Sequence, residues 1–314
     1  MHTLVTGGAG FIGSTLVDRL LAEGHAVDVI DDLSTGSLTN LTAARAGAGH
    51  ELTFHRIDVR SPGVVDLIAH RRPEVIFHLA AQADVRVSVE RPAFDAEVNV
   101  IGTINVAEGA RAAGTRKVVL AASGGTLYGK PDKLPVRETA PQRPLSPYGV
   151  SKKAAADYLF AYRQLHGLEF TALALANVFG PRQDPHGEAG VVAIFANLLL
   201  SGEQCVIYGD GTQTRDFVFV DDVVDAFARA ASRADGLLVN VGTGTETSVN
   251  TLHSVMAGLA GVEAPAANAP ARAGELARSA LDPGRAAQQL GWQAWTTLDV
   301  GTGAVLRWAR GNET

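Results

Sequence analysis

A tyrosine and a lysine stand one helical turn apart in the segment Ser146-Pro147-Tyr148-Gly149-Val150-Ser151-Lys152. If this segment is helical, the two side chains share one face. The lysine ammonium then favours the phenolate form of the tyrosine, which can take a proton from a sugar or alcohol hydroxyl. The same spacing is common on exposed helix faces, so the elements around it decide its meaning.

The first thirteen residues predict one such element, because a short apolar run leads into Gly7, Gly10 and Gly13. This pattern indicates a buried strand, a tight turn and a helix start that hold a pyrophosphate. Gly7 allows the turn, Gly10 lets the backbone approach the phosphates, and Gly13 lets the helix pack on the strand. Free N–H groups at the helix start face the anion. The alternative is a strand-to-helix turn that binds no ligand.

A second predicted strand, 26–30, ends at Asp31, the distance expected for an acid that binds the adenosine ribose. A carboxylate accepts hydrogen bonds from both ribose hydroxyls of NAD and repels the extra phosphate of NADP. No arginine follows within 33–38 to hold that phosphate. We therefore predict NAD as the cofactor; the alternative is that Asp31 and Asp32 only cap the following turn.

Composition bounds the class of protein. The 314 residues suffice for one large or two moderate domains, and 46% hydrophobic with 19% charged residues predicts a sizeable core. The net charge of −6 is spread along the chain, which argues against nucleic acid as a partner. A single cysteine, Cys205, excludes an internal disulfide. We find no signal peptide, membrane span or metal-ligand cluster, and predict a cytoplasmic protein.

The first half of the chain alternates strand and helix patterns, which predicts a parallel sheet with right-handed crossovers. Helices are predicted over 14–23, 94–113 and from Pro147 onward; further strands are predicted over 52–57, 75–79, 117–121 and 170–175. Ligands bind beyond the carboxyl ends of such strands. The candidate site segments lie at those ends: 7–13, Asp31, Asp58, 80–82 and 123–128.

The second half has longer loops and shorter elements. Helices are predicted over 191–200, 223–231, 249–260 and 285–290, short strands over 206–208, 217–220 and 237–241, and a loop over the cleft at 264–273. The predicted fold class is α/β, a doubly wound parallel (Rossmann) sheet with a smaller mixed α/β C-terminal lobe. Residues 1–176 are assigned to dinucleotide binding, and 177–314 to a substrate lobe interleaved with the last strands of the sheet.

Ordered motifs along nearly the whole chain resemble those of the extended short-chain dehydrogenases/reductases, in the NAD-dependent epimerase/dehydratase family. They are most similar to those of UDP-glucose (UDP-galactose) 4-epimerases. The motifs are VTGGAGFIG at 5–13, Asp58, HLAAQ at 78–82, NVIGT at 99–103, SPYGVSK at 146–152, ANVFGPRQ at 176–183, GDGTQTRDFVFVDD at 209–222, NVGTG at 240–244, RAGE at 272–275 and LGW at 290–292.

The resemblance implies a role for each matching position. Tyr148 is the acid/base and Lys152 its tuner, with a hydroxyl from Thr126 or Ser123. The implied cofactor residues are Gly7, Gly10, Phe11, Ile12, Gly13, Asp31, Asp32, Ser34, Thr35, Gly36, Asp58, Val59, Leu79, Ala80, Ala81, Gln82, Asn99, Ala121, Tyr148 and Lys152. The implied substrate residues are Ser123, Gly124, Gly125, Thr126, Tyr148, Asn177, Arg182, Val191, Val206, Tyr208, Arg215, Arg272 and Glu275.

Arg215 is implied to bind the diphosphate, where its guanidinium fork matches two oxygens. Arg272 and Glu275 are implied to hold the diphosphate and the uridine ribose. For Arg215 and Asp216 the alternative is a structural ion pair at the start of a strand.

One position departs from the family pattern. The family usually has Ser or Thr four residues before the tyrosine of the Tyr-Gly pair, and this chain has Gly124 there. Thr126, with Ser123 as second choice, is expected to supply that hydroxyl, unless a water does.

The same segment indicates the reaction. Family dehydratases carry an Asp-Glu pair here and decarboxylases a Glu, whereas this chain has Gly125 and Thr126. Without a second acid/base, a 4-keto intermediate takes its hydride back, and inverts if the sugar turns first in the room left by the glycines.

We therefore predict 4-epimerisation of a UDP-hexose. The acid Asp184 opposes an anionic sugar, although Arg182 and His186 leave UDP-glucuronate open. A non-catalytic NAD-sensing regulator is the alternative of another class. The resemblance also implies a homodimer through the helices near 94–113 and 147–165.

Overall fold

The computed structural model describes residues 1–47, 49, 51–185, 190–263, 265–271 and 276–311. The strands are β1 (His2–Thr6), β2 (Ala26–Asp31), β3 (Leu52–Arg56), β4 (Val75–His78), β5 (Lys117–Ser123), β6 (Glu169–Leu175), β7 (Asn177–Phe179), β8 (Val206–Tyr208), β9 (Thr214–Arg215), β10 (Phe217–Phe219), β11 (Leu237–Val241), β12 (Thr247–Ser248) and β13 (Ala267–Ala269).

Helices cover both faces of the central sheet. They are α1 (Phe11–Ala22), α2 (Thr42–Gly47), α3 (Gly63–Arg71), α4 (Val85–Glu90), α5 (Pro92–Ala96), α6 (Gly102–Ala113), α7 (Gly124–Leu127), α8 (Pro147–His166), α9 (Val191–Ser201), α10 (Val220–Ala230), α11 (Val249–Ala260), α12 (Gly284–Leu290) and α13 (Leu298–Ala309). A 3₁₀ turn spans Leu38–Leu41, and a π-helical turn spans Glu97–Ile101.

The central sheet has seven parallel strands in the order β11-β6-β5-β4-β1-β2-β3. Alternate residues of one strand enter different cores: Val5 packs on the face with α1 and α10, and Leu4 packs on the face with α3 and α6. Because both faces are covered, most residues of the inner strands are buried and apolar, with polar exceptions such as Asp28 and Lys117. This arrangement confirms the predicted doubly wound α/β fold.

The order of the strands reverses between β1 and β4: β2 and β3 extend the sheet on one side of β1, and β4, β5 and β6 extend it on the other. A crevice opens beyond the carboxyl ends of the strands at such a switch point. The seventh strand, β11, comes from the C-terminal half of the chain and pairs with β6. Helix α10, also from that half, packs on α1, where Arg19 meets Asp225 at 3.3 Å.

Two predicted elements differ from the structure. The helix expected over 94–113 is divided into α5, the π-helical turn and α6, because the turn at Glu97–Ile101 holds an extra residue that apolar spacing does not reveal. The loop expected over 264–273 contains β13, which pairs with β8; Ala264 and 272–273 lie outside the described residues. None of the described helices is long and apolar enough to cross a lipid bilayer.

Candidate active site

The glycine turn between β1 and α1 is closed tightly by neighbouring backbone. Gly7 has φ +70°, and a Cβ there would lie 2.7 Å from the Ala80 nitrogen. A Cβ on Gly13 would lie 2.1 Å from the Gly7 oxygen. At Gly10, which begins the helix, no side chain caps the first amides of α1. Those N–H groups remain available to an anion, as a pyrophosphate site requires.

Asp31 ties the loop after β2 to the glycine turn. Its carboxylate is largely buried and accepts hydrogen bonds from the Ala9 nitrogen at 2.9 Å and the Leu33 nitrogen at 2.8 Å. Burial raises the pKa of this carboxyl. Gly36 packs closely against the same carboxylate, since a Cβ there would lie 3.0 Å from Asp31 Oδ1. The acid predicted to bind the ribose therefore also fixes the loop after β2. The next residue, Asp32, accepts a hydrogen bond from the Ser34 nitrogen at 2.8 Å.

Asp58 lines an open cleft of about 440 Å³ beyond the end of β3, together with Arg60, Glu97 and Ile101. Arg60 binds the Asp58 carboxylate through Nε at 2.9 Å, which lowers the pKa of that carboxyl. The neighbouring Val59 side chain is buried against α6. The two neighbouring residues, both predicted to bind the cofactor, thus have different environments. Asp58 faces the cleft, and the side chain of Val59 is buried in the core.

A directed chain of hydrogen bonds runs through His78 at the end of β4. Thr6 Oγ1 accepts from the Leu79 and Ala80 nitrogens, both at 3.2 Å, and lies 2.7 Å from His78 Nδ1. His78 Nε2 lies 3.0 Å from the Thr103 hydroxyl, which donates to the Asn99 oxygen. Burial, with nearby Lys152, lowers the pKa of His78 to about 3. A neutral imidazole therefore bonds to two hydroxyls, holding the predicted segment 79–82 rather than acting in catalysis.

Helix α8 places Tyr148 and Lys152 at the end of β5. Ser146 caps its start through the Gly149 nitrogen at 3.2 Å, and Pro147 occupies the first turn. Lys152 is buried, donates to the Ala121 oxygen at 3.0 Å, and has Nζ 5.9 Å from the centre of the Tyr148 ring. Burial lowers the pKa of Lys152 to about 8, against the opposing effect of Asp95.

Asn99 lies behind the cofactor segment and bonds to Gln82, Asp95 and Ser151. Its Oδ1 accepts from the Gln82 nitrogen at 2.9 Å. Its Nδ2 lies 3.0 Å from the Gln82 oxygen, 3.1 Å from Asp95 Oδ1 and 3.0 Å from Ser151 Oγ. Asn99 links Gln82 to α8, and its predicted contact with the cofactor stays a prediction.

The segment after β5 explains the glycine at 124. A Cβ on Gly124 would lie 2.3 Å from Leu281 Cδ1 and 3.1 Å from the Ala174 oxygen, so a side chain there would have to displace Leu281 and press on the backbone of β6. At Gly125, in contrast, an added Cβ would meet no atom within 4 Å. Thr126 Oγ1 lies 3.5 Å from the Ser123 oxygen, whereas the Ser123 hydroxyl makes no capping bond to α7.

Asp216 joins three segments around this end of the sheet, next to Arg215. Its carboxylate accepts from the Thr243 nitrogen and hydroxyl, at 2.9 and 2.6 Å, and from the Gly244 and Leu281 nitrogens, both at 3.1 Å. Backbone and hydroxyl donors thus hold the Asp216 carboxylate, while Arg215 Nη1 donates to the Thr214 and Leu276 oxygens.

The remaining predicted substrate residues fall into three groups. Asn177 and Val191 line one small cavity, and Val206 with Tyr208 form an exposed apolar patch on β8. Arg182 Nη2 pairs with Asp18 of α1 at 2.7 Å, and the role predicted for Arg182 at the sugar stays a prediction. The predicted Arg272 and Glu275, and His186, lie outside the described residues.

The comparisons with known proteins agree on one family. Residues 3–242 match the model of the NAD dependent epimerase/dehydratase family. The chain belongs to this family. It is 52% identical over 311 residues to a UDP-glucose 4-epimerase of Mycolicibacterium smegmatis, with 99% of each chain covered.

Two solved structures are similar over 99% of each chain. One is a UDP-glucose 4-epimerase of Thermotoga maritima with UDP-glucose, with a TM-score of 0.95 and 40% identity. The other is a UDP-glucose 4-epimerase of Thermus thermophilus in complex with NAD, with a TM-score of 0.91 and 42% identity. The resemblance drawn from the motifs is thereby confirmed.

The glycine turn suits the dinucleotide of this epimerase/dehydratase family. The uncapped start of α1 offers backbone donors to a pyrophosphate, and any side chain at Gly7 or Gly13 would strike backbone. The ends of β2 and β4 lie beside this turn, through Asp31 and through the contact of Gly7 with Ala80. The described residues therefore fit NAD along the edge of the sheet.

Two residues that contact the predicted site residues of this chain, Asp95 and Leu281, were missed from the sequence. Asp95 lies four residues before Asn99, a spacing that predicts contact on a helix, but the motif begins only at Asn99. Leu281 fills the space at Gly124 from a position 157 residues further along the chain. No local pattern connects such distant positions, so the sequence carries no signal for Leu281.

Proposed function

We propose that this chain is an NAD-dependent UDP-hexose 4-epimerase that interconverts UDP-glucose and UDP-galactose. The observation that carries the proposal is the Tyr148–Lys152 pair at the end of β5, on the same edge of the sheet as the glycine turn. The relatives named UDP-glucose 4-epimerase, similar over the full length, support the same substrate. A cytoplasmic location stays a prediction.

The chain's own groups perform the proton transfer. Bound NAD supplies a hydride acceptor, and later donor, at the sugar carbon that bears the hydroxyl. Tyr148, beside the Lys152 ammonium, takes the proton of that hydroxyl and later returns it. Segment 123–128 carries no carboxyl group, so the 4-keto sugar meets no local acid or base for elimination or decarboxylation. If the keto sugar turned in the space beside Gly125, its opposite face would meet the cofactor and the carbon would be inverted.

The pairing of Arg182 favours a neutral sugar over glucuronate. A uronate carboxylate, once desolvated, needs a cation or several donors. Arg182 Nη2 is engaged by Asp18 at 2.7 Å, and Asp184 follows two residues later. The charge of Asp18 offsets that of Arg182, which supports a neutral sugar, while the buried Arg182 Nη1 has no partner among the described residues and is the donor that a uronate would use.

Incubation with four sugars tests this function. The protein is incubated with UDP-glucose, UDP-galactose, UDP-glucuronate and UDP-galacturonate, and the epimers are separated by chromatography. We expect the two hexoses to reach one common mixture from either side and the uronates to remain unchanged. Conversion of the uronates alone would show that UDP-glucuronate, and not a UDP-hexose, is the substrate. Conversion of none of the four sugars would favour the NAD-sensing regulator.

A pair of substitutions tests which hydroxyl takes the role of the Ser or Thr that the family usually has at the position of Gly124. The sequence favours Thr126, but the contacts favour Ser123, because Thr126 Oγ1 faces the Ser123 oxygen while the Ser123 hydroxyl caps nothing. We expect Ser123→Ala to lower kcat about 100-fold, and Thr126→Val to lower it far less. The opposite order, with both variants folded and loaded with NAD, would return the role to Thr126.

An apolar stripe on α8 supports a homodimer. Val150, Tyr158 and Leu165 are exposed by 54%, 42% and 74%, and their spacing of eight and seven residues places them on one face. Helix α6 lies alongside, joined to α8 by the Tyr162–Glu108 hydrogen bond, and Ile101 is exposed just before it. A second copy of the chain related by a two-fold axis covers the same stripe on both partners.

Charge placed in this stripe should separate the dimer. We expect the double substitution Tyr158→Glu with Leu165→Glu to yield a monomer, because it buries two unpaired carboxylates from each protomer at the interface. Leu259→Glu is the matched control: Leu259 is exposed by 45% but lies on α11. Sedimentation velocity measures the mass. A dimer that survives the double substitution would contradict this interface.

A further inference from the structure

Asp95 is a fully buried carboxylate at the junction of the cofactor segment and the catalytic helix. It lies on α5 with no exposed surface. Its Oδ1 accepts from Gln82 Nε2 at 2.9 Å and from Asn99 Nδ2 at 3.1 Å. Gln82 in turn donates to the Asp84 oxygen and accepts from the Asp84 nitrogen. One oxygen of Asp95 thus fixes the end of the segment 79–82.

The same network continues into α8 between its two catalytic residues. Asn99 Nδ2 lies 3.0 Å from Ser151 Oγ, and Ser151 donates to the Tyr148 oxygen at 3.0 Å. Ser151 directly precedes Lys152 in the chain. Movement at Asp95 would therefore be transmitted to the start of the catalytic helix.

The second oxygen of Asp95 points to an electrostatic role. Oδ2 is buried and has no hydrogen-bond partner among the described residues. A buried charge without compensation is costly. Lys152 has the matching deficit, because its buried ammonium donates to one neutral acceptor, the Ala121 oxygen, and forms no direct ion pair in the described ranges.

The groups packed around Lys152 leave Asp95 as its counter-charge. Tyr148 lies on the same helix, the Ala121 oxygen comes from β5, and His78 comes from β4. His78 is neutral, since burial lowers its pKa to about 3. Among the described residues, the carboxylate of Asp95 on α5 is the opposite charge that favours the ammonium of Lys152, against the burial that lowers the lysine pKa to about 8.

We propose that Asp95 is a positioning residue that keeps Lys152 in its ammonium form while holding Gln82 and Ser151 in register with it. The ammonium is the form that stabilises the Tyr148 phenolate, so turnover depends on a carboxylate that contacts neither substrate nor cofactor. The kinetic part of this inference rests on the proposed epimerase function, whereas the charge of Lys152 can be measured without it.

Removing the charge of Asp95 should move the titration of Lys152. Asp95→Asn keeps the size and one acceptor oxygen, and Asp95→Ser removes the same charge in a smaller side chain. The chain has five lysines, so the resonance of carbon-13-labelled Lys152 can be followed by NMR against pH and assigned with Lys152→Arg. We expect the Lys152 pKa to fall by about one unit in both variants, because loss of an opposite charge disfavours the ammonium.

The pH profile of kcat should follow in the same direction. Activity requires the ammonium and is lost as pH rises through the lysine pKa, so the alkaline limb should move about one pH unit lower. Asp157→Asn is the matched control, because Asp157 lies on α8 but is exposed and pairs with Lys153. We expect no shift there, since solvent screens that pair.

Different failures are separable. An unshifted Lys152 titration in a folded Asp95 variant would overturn the role of Asp95, whatever the activity. A shifted titration in a protein that epimerises no nucleotide-sugar would uphold the electrostatic link and contradict the proposed function.

Discussion

Tyr148→Phe is expected to lower the rate of epimerisation by about 1,000-fold, because it removes the group that takes and returns the hydroxyl proton. The ring still packs over Lys152, whose Nζ lies 5.9 Å from its centre, so folding and cofactor content should stay near those of the parent protein. The measurement is chromatographic conversion of UDP-galactose, with the NAD content determined on the same sample.

Tyr162→Phe is the matched control for the loss of a phenol hydroxyl. Tyr162 lies on the same helix and donates to Glu108 of α6, away from the glycine turn. Loss of that hydrogen bond should cost about 1 kcal/mol of stability and leave kcat unchanged. Undiminished turnover in Tyr148→Phe would remove the tyrosine from the chemistry.

Gly13→Ala is expected to abolish tight NAD binding and to destabilise the fold. The added methyl would lie 2.1 Å from the Gly7 oxygen and 2.9 Å from the Gly8 Cα, and neither backbone atom can yield without opening the turn. Overpacking of this kind typically costs about 1–3 kcal/mol. Thermal unfolding with and without added NAD measures both effects, and the stabilisation by NAD should disappear.

A second glycine separates this effect from a general intolerance of alanine. Gly258 lies within α11, and a Cβ there would have no neighbour within 4 Å. Gly258→Ala should leave NAD binding intact and raise stability slightly, because alanine favours a helix by about 1 kcal/mol over glycine. Normal NAD binding by Gly13→Ala would contradict the placement of the pyrophosphate.

Local patterns predicted the parts of the fold that depend on local physics. The strand, glycine turn and helix at the start of the chain follow from spacing within thirteen residues, and the structure has β1, the turn and α1 there. Alternation of strands and helices likewise predicted the parallel sheet, which is confirmed. The Tyr148–Lys152 pair was found because helical spacing brings the two together on α8.

Contacts between distant segments could not be predicted. The exclusion of a side chain at Gly124 depends on Leu281, and the position of Leu281 depends on Asp216. The motif that predicts Arg182 at the sugar does not reveal its ion pair with Asp18 of α1. In each case the deciding neighbour is far away in the chain, and tertiary packing determines the contact.

The π-helical turn at Glu97–Ile101 has a different reason. It interrupts a helix whose apolar spacing looks continuous, and it carries Asn99. Such turns frequently mark functional sites, because the inserted residue is displaced from the regular ladder. Here Asn99 bonds to Gln82, Asp95 and Ser151 at once. Its importance was visible in the motif, but its partner Asp95 was not.

In the proposed mechanism, one hydrogen leaves a sugar carbon and returns to the same carbon. UDP-galactose that carries deuterium at C4 tests this transfer most directly. The protein converts this substrate in ordinary water, and the UDP-glucose formed is examined by NMR and mass spectrometry. We expect deuterium to remain at C4 with none lost to solvent, because the hydrogen travels as a hydride and only the hydroxyl proton passes through Tyr148. UDP-glucose in which solvent hydrogen has replaced the deuterium at C4 would contradict this mechanism.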